Sequence, residues 1–123
     1  MRFKVEHKLS KDRPNQFTIG SIALRELMSH KTDATNFLKA MAHNGRLNIL
    51  CSLMIGEKTV TEISEEFSFR QSAASQQIAR LRLEGLIEGR REGKAIYYRI
   101  ADERTYRVVE LLHELFCSGE LHN

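Results

Sequence analysis

The chain lacks most of what marks a secreted, membrane-bound or catalytic protein: its 123 residues include two cysteines, one proline and no long apolar run. Two cysteines are too few for a disulfide scaffold, and a domain of this length builds a modest core of its own. A reducing compartment then keeps both as thiols at rest. The apolar stretches are short and amphipathic, far below the ~20 residues of a membrane span, and the N-terminus has no apolar secretory segment. The expected location is cytoplasmic, with no membrane partner. Internal repeats and low-complexity tracts are also missing. No Cys-x-x-Cys, phosphate-binding loop, acid/base pair or nucleophile motif is present, so the chain reads as neither an enzyme nor a cofactor carrier.

What the chain does have is unevenly placed positive charge. The formal net charge is +3 and the pI is near 9.0, which alone only mildly favours an anionic partner. Between Arg70 and Lys94, however, six basic residues face three acidic ones, which accounts for the whole surplus. A second basic stretch, 1–16, carries five basic and two acidic residues and the only proline, Pro14. It reads as a flexible arm ahead of one domain, 17–123.

Helical periodicity begins in Thr18–His30, with Ile19, Ile22, Ala23, Leu27 and Met28, and resumes in Ala34–Ala42. Asn44 and Gly45 precede a third helix, "RLNILCSLMIG", in which Leu47, Leu50, Cys51 and Met54 share one face, and Gly56 is suited to a left-handed cap. Thr59 and Glu62 form a capping box for a short helix with Val60, Ile63 and Phe67 inward. A tight Ser68–Arg70 connection leads to a helix over Gln71–Glu84, with Ala74, Ile78 and Leu81 inward, ended by Gly85. The period then alternates, with Ile96, Tyr98 and Ile100 on one strand face and Glu92–Gly93 as the hairpin turn. Asp102 caps a last helix whose apolar face, Val108 to Phe116, is broad enough for both a core and another subunit. The expected fold is mainly α with a small β-hairpin: a homodimeric winged helix-turn-helix of five to six helices and a two-stranded wing.

In that fold, the outward side of the second motif helix carries Gln71, Ser72, Ser75, Gln76, Gln77 and Arg80. These short or forked hydrogen-bonding groups suit base edges and phosphates. Arg90, Arg91 and Lys94 flank the hairpin turn, within reach of phosphates or a minor groove. Singly, each is as readily a solvated surface residue; in this order they point to double-stranded DNA. A winged helix that binds protein instead is the alternative of another class.

The runs "FLKAMAHNGRLNIL", "RQSAASQQIARLRLEGLI" and "RREGKAIYYRI" resemble the ArsR family of small bacterial repressors, from about Ala34 to Cys117. The resemblance implies a homodimer on a near-palindromic operator, dimerised through its first and last helices and released by an inducer. The chain departs from the common family pattern at Gln77, where histidine is frequent, and at Arg70, where a better helix cap is frequent.

Family metal sites need ligands that this chain lacks. "LCSLM" offers one thiolate where a Cys-x-Cys pair is required, Asp102 is followed two positions on by Arg104, and His113 stands alone. Two thiols remain, 66 positions apart. "RLNILCSLMIGEKTVTEI", "RQSAASQQIARLRLEGLIEGRREGKAIYYRI" and "LFCSG" resemble the sulfur-responsive BigR and SqrR branch of the family. That resemblance implies that Cys51 and Cys117 are a redox sensor pair, joined by persulfide through a disulfide or polysulfide so that the operator is released. A general peroxide or disulfide sensor, or an unorthodox metal sensor, are the alternatives on the same fold. Periodicity alone makes Cys51 a small core residue.

Overall fold

The computed structural model describes residues 20–121, with side chains through Cys117. The expected arm, 1–16, lies outside the described residues. Backbone contacts divide the chain into two units, 1–34 and 35–123. In the first, helix α1 (Ser21–Ser29) exposes its apolar residues Ile22, Leu24, Leu27 and Met28. Helix α2 (Lys31–Met41) crosses the boundary; its later residues Ala40 and Met41 belong to the core of the second unit, and half-buried Phe37 packs against that core.

The second unit continues with α3 (Asn44–Ile55), α4 (Val60–Phe67), α5 (Gln71–Leu83), β1 (Ile87–Glu92), β2 (Ala95–Ile100) and α6 (Glu103–Leu121). Six helices and one antiparallel two-stranded sheet make the described residues a winged helix-turn-helix, α4 and α5 forming the motif and β1–β2 the wing.

Local chemistry sets the boundaries. His43 caps α3 through Nδ1, which accepts from the backbone N–H of Gly45 (3.0 Å) and Arg46 (3.3 Å). At α4 the capping box is complete: Glu62 N–H donates to Thr59 Oγ1 at 3.2 Å, and Thr59 N–H to Glu62 Oε1 at 2.9 Å, satisfying two otherwise orphaned donors. Ser68 takes a left-handed conformation, φ 57°, to turn the chain into α5. Gly85, φ 80°, closes α5. There Leu86 N–H reaches Leu81 O (3.0 Å) and Gly85 N–H reaches Arg82 O (2.9 Å), so the last carbonyls are paired. Asp102 Oδ1 accepts from Arg104 N–H at 2.9 Å at the start of α6.

Two expected turns differ. The register pairs Glu92 with Ala95, so the wing loop is Gly93–Lys94, not Glu92–Gly93. Only Gly93 has positive φ, 64°; with glycine first, a two-residue hairpin loop needs no second such residue. Gly56 is extended, φ 169°, not left-handed. The chain passes through it into a short bridge in which Lys58 and Tyr98 exchange backbone hydrogen bonds at 3.2 and 2.8 Å, tying the motif to the wing.

The core lies where α3, α5 and the wing meet. Ile49, Leu50 and Leu53 of α3 pack with Ile63, with Ala74, Ile78 and Leu81 of α5, and with Leu86, Ile87 and Tyr98. Val109 joins from α6, while Leu111, Leu115 and Phe116 on the same helix remain exposed.

Candidate sensor groove and DNA-facing surface

The apolar residues of α3 divide between two surfaces. Ile49, Leu50 and Leu53 enter the core, whereas Leu47 and Met54 are half-buried and Cys51 is exposed. This corrects the core placement of Cys51 expected from periodicity. Helix α6 crosses that side of α3 without covering it, and an open groove of about 680 Å³ lies between them. From α3 it is lined by Leu47, Cys51 and Met54. From α6 come Val109, Leu112 and Phe116, together with Glu110, His113 and Cys117.

Both cysteines therefore border one apolar space. The groove walls desolvate the Cys51 thiol and push its pKa up, and the nearby Cys117 pushes it further the same way. Both effects hold Cys51 protonated at neutral pH, because each disfavours the thiolate. Among the described residues, no group of three or more His, Cys, Asp or Glu side chains is arranged to hold a metal ion.

In the helix-turn-helix motif, α5 presents Gln71, Ser72, Ser75 and Gln76 to solvent. Gln71 is steadied by its motif neighbour, Nε2 donating to Thr61 Oγ1 at 2.8 Å. Gln77 is different. It is half-buried, and its Oε1 accepts from Arg46 Nη1 at 2.9 Å, so half of its amide is already engaged within the protein. Arg80 is half-buried and pairs with Glu84 at 3.7 Å.

The wing cations also differ among themselves. Arg90 pairs with Glu57 at 2.6 Å and Glu92 at 2.8 Å, and its guanidinium lies over Tyr97, 5.1 Å from the ring centre. It braces the wing. Arg91 and Lys94, beside and within the loop, are exposed and have no ion-pair partner among the described residues.

Sequence patterning did not find the links that hold these surfaces in place. Arg46 gathers the end of α2 and the middle of α5, its Nε donating to Ala40 O at 2.5 Å and its Nη2 to Lys39 O at 3.2 Å. Ser52, next to Cys51, is buried; its Oγ donates to Glu66 Oε1 at 2.6 Å, and Lys58 Nζ donates to both at 2.9 and 3.1 Å. A buried serine in an apolar helix was the available signal, since such a hydroxyl requires a partner.

Residues 43–88 match the helix-turn-helix domain of the bacterial regulatory protein, arsR family. The chain is 38% identical over 102 residues to a biofilm growth-associated repressor of Agrobacterium fabrum, covering 83% of this chain and 87% of that protein. Its fold superposes on reduced HlyU from Vibrio cholerae with a TM-score of 0.71 at 38% identity, spanning 76% of this chain and 99% of that one; HlyU is described as a transcriptional activator. A homodimeric winged helix-turn-helix DNA-binding domain from Mycobacterium bovis matches with a TM-score of 0.67 at 30% identity, over 87% of this chain and 95% of that one. With relatives this similar across most of their length, the chain belongs to the ArsR family of bacterial regulatory proteins.

Proposed function

We propose that this ArsR-family transcriptional regulator is a homodimeric repressor. It holds a near-palindromic operator in the reduced state and releases it when persulfide links Cys51 to Cys117 within one subunit. The observation that carries this reading is that two cysteines distant in sequence line one groove between α3 and α6. The similarity to a repressor and to a protein solved in a reduced form supports it.

The chemistry closes without a metal or cofactor. A hydropersulfide, RSSH, transfers its outer sulfur to one thiol, giving Cys–SSH and RSH. A second RSSH then oxidises this persulfide and the other thiol to a trisulfide and leaves as RSH and hydrogen sulfide. A direct disulfide needs Cα atoms roughly 4.4–6.8 Å apart, and each inserted sulfur adds about 2 Å of reach. A Cα separation beyond that range favours a bridge with inserted sulfur over a direct disulfide.

DNA is met by α5 and the wing, with Ser72, Ser75 and Gln76 at base edges and Arg91 and Lys94 on phosphates; Gln71, Gln77, Arg80 and Arg90 act partly through the contacts that orient them. Exposed apolar residues on α1 and, separately, on α6 (Leu111 and Leu115) supply surfaces for a second copy. Because α3 carries Cys51 and is bonded to both motif helices through Arg46 and Ser52, bridging repositions the DNA-facing surface. A hundredfold loss of affinity requires about 2.7 kcal/mol of differential stability.

Intact mass and operator binding, measured on the same persulfide-treated samples, test the reading. The expected result is a bridged subunit that has lost two hydrogens and gained sulfur, with weakened binding. Unchanged binding, or full response in both Cys51→Ser and Cys117→Ser, would overturn it. A bridge without added sulfur, formed equally by peroxide, identifies a general thiol redox sensor instead.

A further inference from the structure

Glu110, His113 and Cys117 lie at i, i+3 and i+7 on α6 and share one face. All three line the groove that Cys51 borders from α3. The remaining lining is apolar, so these two thiols, one imidazole and one carboxylate are the titratable groups facing it among the described residues. A thiol attacks sulfur as its thiolate, and an apolar wall opposes thiolate formation. A proton acceptor within the groove removes that obstacle. Of the groups present, only His113 offers an imidazole, a side chain that can both accept and return a proton, one helical turn from a thiol.

We propose that His113 is the proton acceptor for Cys117 in the first sulfur transfer, with the Glu110 carboxylate stabilising the imidazolium. The proposal rests on the persulfide-sensor reading and deepens it by ordering the two thiols. His113 takes the Cys117 proton, directly or through one water. The thiolate attacks the outer sulfur of RS–SH, that S–S bond breaks, and RS⁻ departs with the electron pair. The leaving thiolate takes the proton from His113, so the products are Cys117–SSH, RSH and neutral imidazole. Cys51 is the later partner; its protonation is favoured by the groove walls and by Cys117 itself.

The test follows sulfur uptake by mass spectrometry in Cys51→Ser protein, with N-acetylcysteine hydropersulfide as probe, from neutral to alkaline pH. Adding His113→Ala is expected to slow uptake about tenfold or more at neutral pH. The two rates should converge as solvent deprotonates the thiol, and added imidazole should restore the neutral rate. His113→Gln should be equally slow and gain less from imidazole, because the longer side chain fills the vacated space. Identical pH profiles with and without His113 would overturn this proposal alone, since the native chain would still bridge and release DNA. No sulfur uptake by the native chain would overturn the sensor reading and this proposal with it.

Discussion

Arg46 and Gln77, 31 positions apart, are joined at 2.9 Å, Nη1 of the α3 arginine donating to Oε1 of the α5 glutamine. The same guanidinium satisfies the Ala40 and Lys39 carbonyls at the end of α2. Arg46→Met keeps the aliphatic stem and leaves all three oxygens without this donor, a loss of about 1–3 kcal/mol. A lower urea midpoint with an unchanged m-value is expected, together with weaker operator binding, because α5 loses its tether. Gln77→Ala should cost less, about 1 kcal/mol, since the two carbonyls keep their partner. Native midpoint and native affinity in Arg46→Met would show that the tether orients nothing.

The elements that were legible in the sequence are those set by chemistry within a few residues. Thr59 and Glu62 announce the start of α4, Gly85 the end of α5, and the spacing of Ala74, Ile78 and Leu81 the buried side of α5. The features that were not legible depend on distant partners. Cys51 has the periodicity of a core residue, yet whether its side is covered depends on how α6 crosses α3. Arg90 has the placement of a phosphate contact, but its closest carboxylate, Glu57, is 33 positions away. Gln77 looks like its neighbours until Arg46 is seen. Resemblance supplied the pairing of Cys51 with Cys117, which no local pattern contains.

This difference among the wing cations predicts different salt dependences. A cation that neutralises one phosphate contributes about 0.9 to the slope of log affinity against log salt. Each substitution removes two such cations from the homodimer, so Arg91→Ala and Lys94→Ala should each lower the magnitude of the slope by about 1.8, measured by fluorescence anisotropy on operator duplex. Arg90→Ala should change the slope less, while loosening the wing by freeing Glu57 and Glu92. The assignment fails if Arg90→Ala lowers the slope as far as Lys94→Ala does.

Ser75 and Gln76 are solvent-exposed on α5 and stand outside the hydrophobic core. Their substitution by alanine should leave the urea midpoint near the native value. Each well-made base contact contributes about 1–3 kcal/mol of discrimination, so operator affinity should fall roughly tenfold or more while binding to scrambled duplex is little changed. An equal loss on both duplexes would assign these residues to the phosphate backbone rather than to base edges.

Ser52, Lys58 and Glu66 predict a pH dependence of stability. The Ser52 hydroxyl, and then Lys58, hold the Glu66 carboxyl below the usual glutamate range. A carboxylate whose folded pKa is depressed adds stability above its unfolded pKa, and this is lost as pH falls through the folded value. The native urea midpoint should therefore fall as pH drops below the ordinary glutamate range. Ser52→Ala removes the largest cause of the depression. At neutral pH it should cost on the order of 1 kcal/mol, the net worth of a hydrogen bond; the Lys58–Glu66 pair itself adds less, because Glu66 is 36% exposed and screened. On acidification the variant then has less to lose, so its midpoint should decline less steeply than the native one. Parallel pH curves for the two proteins would mean that Ser52 does not set the ionisation of Glu66.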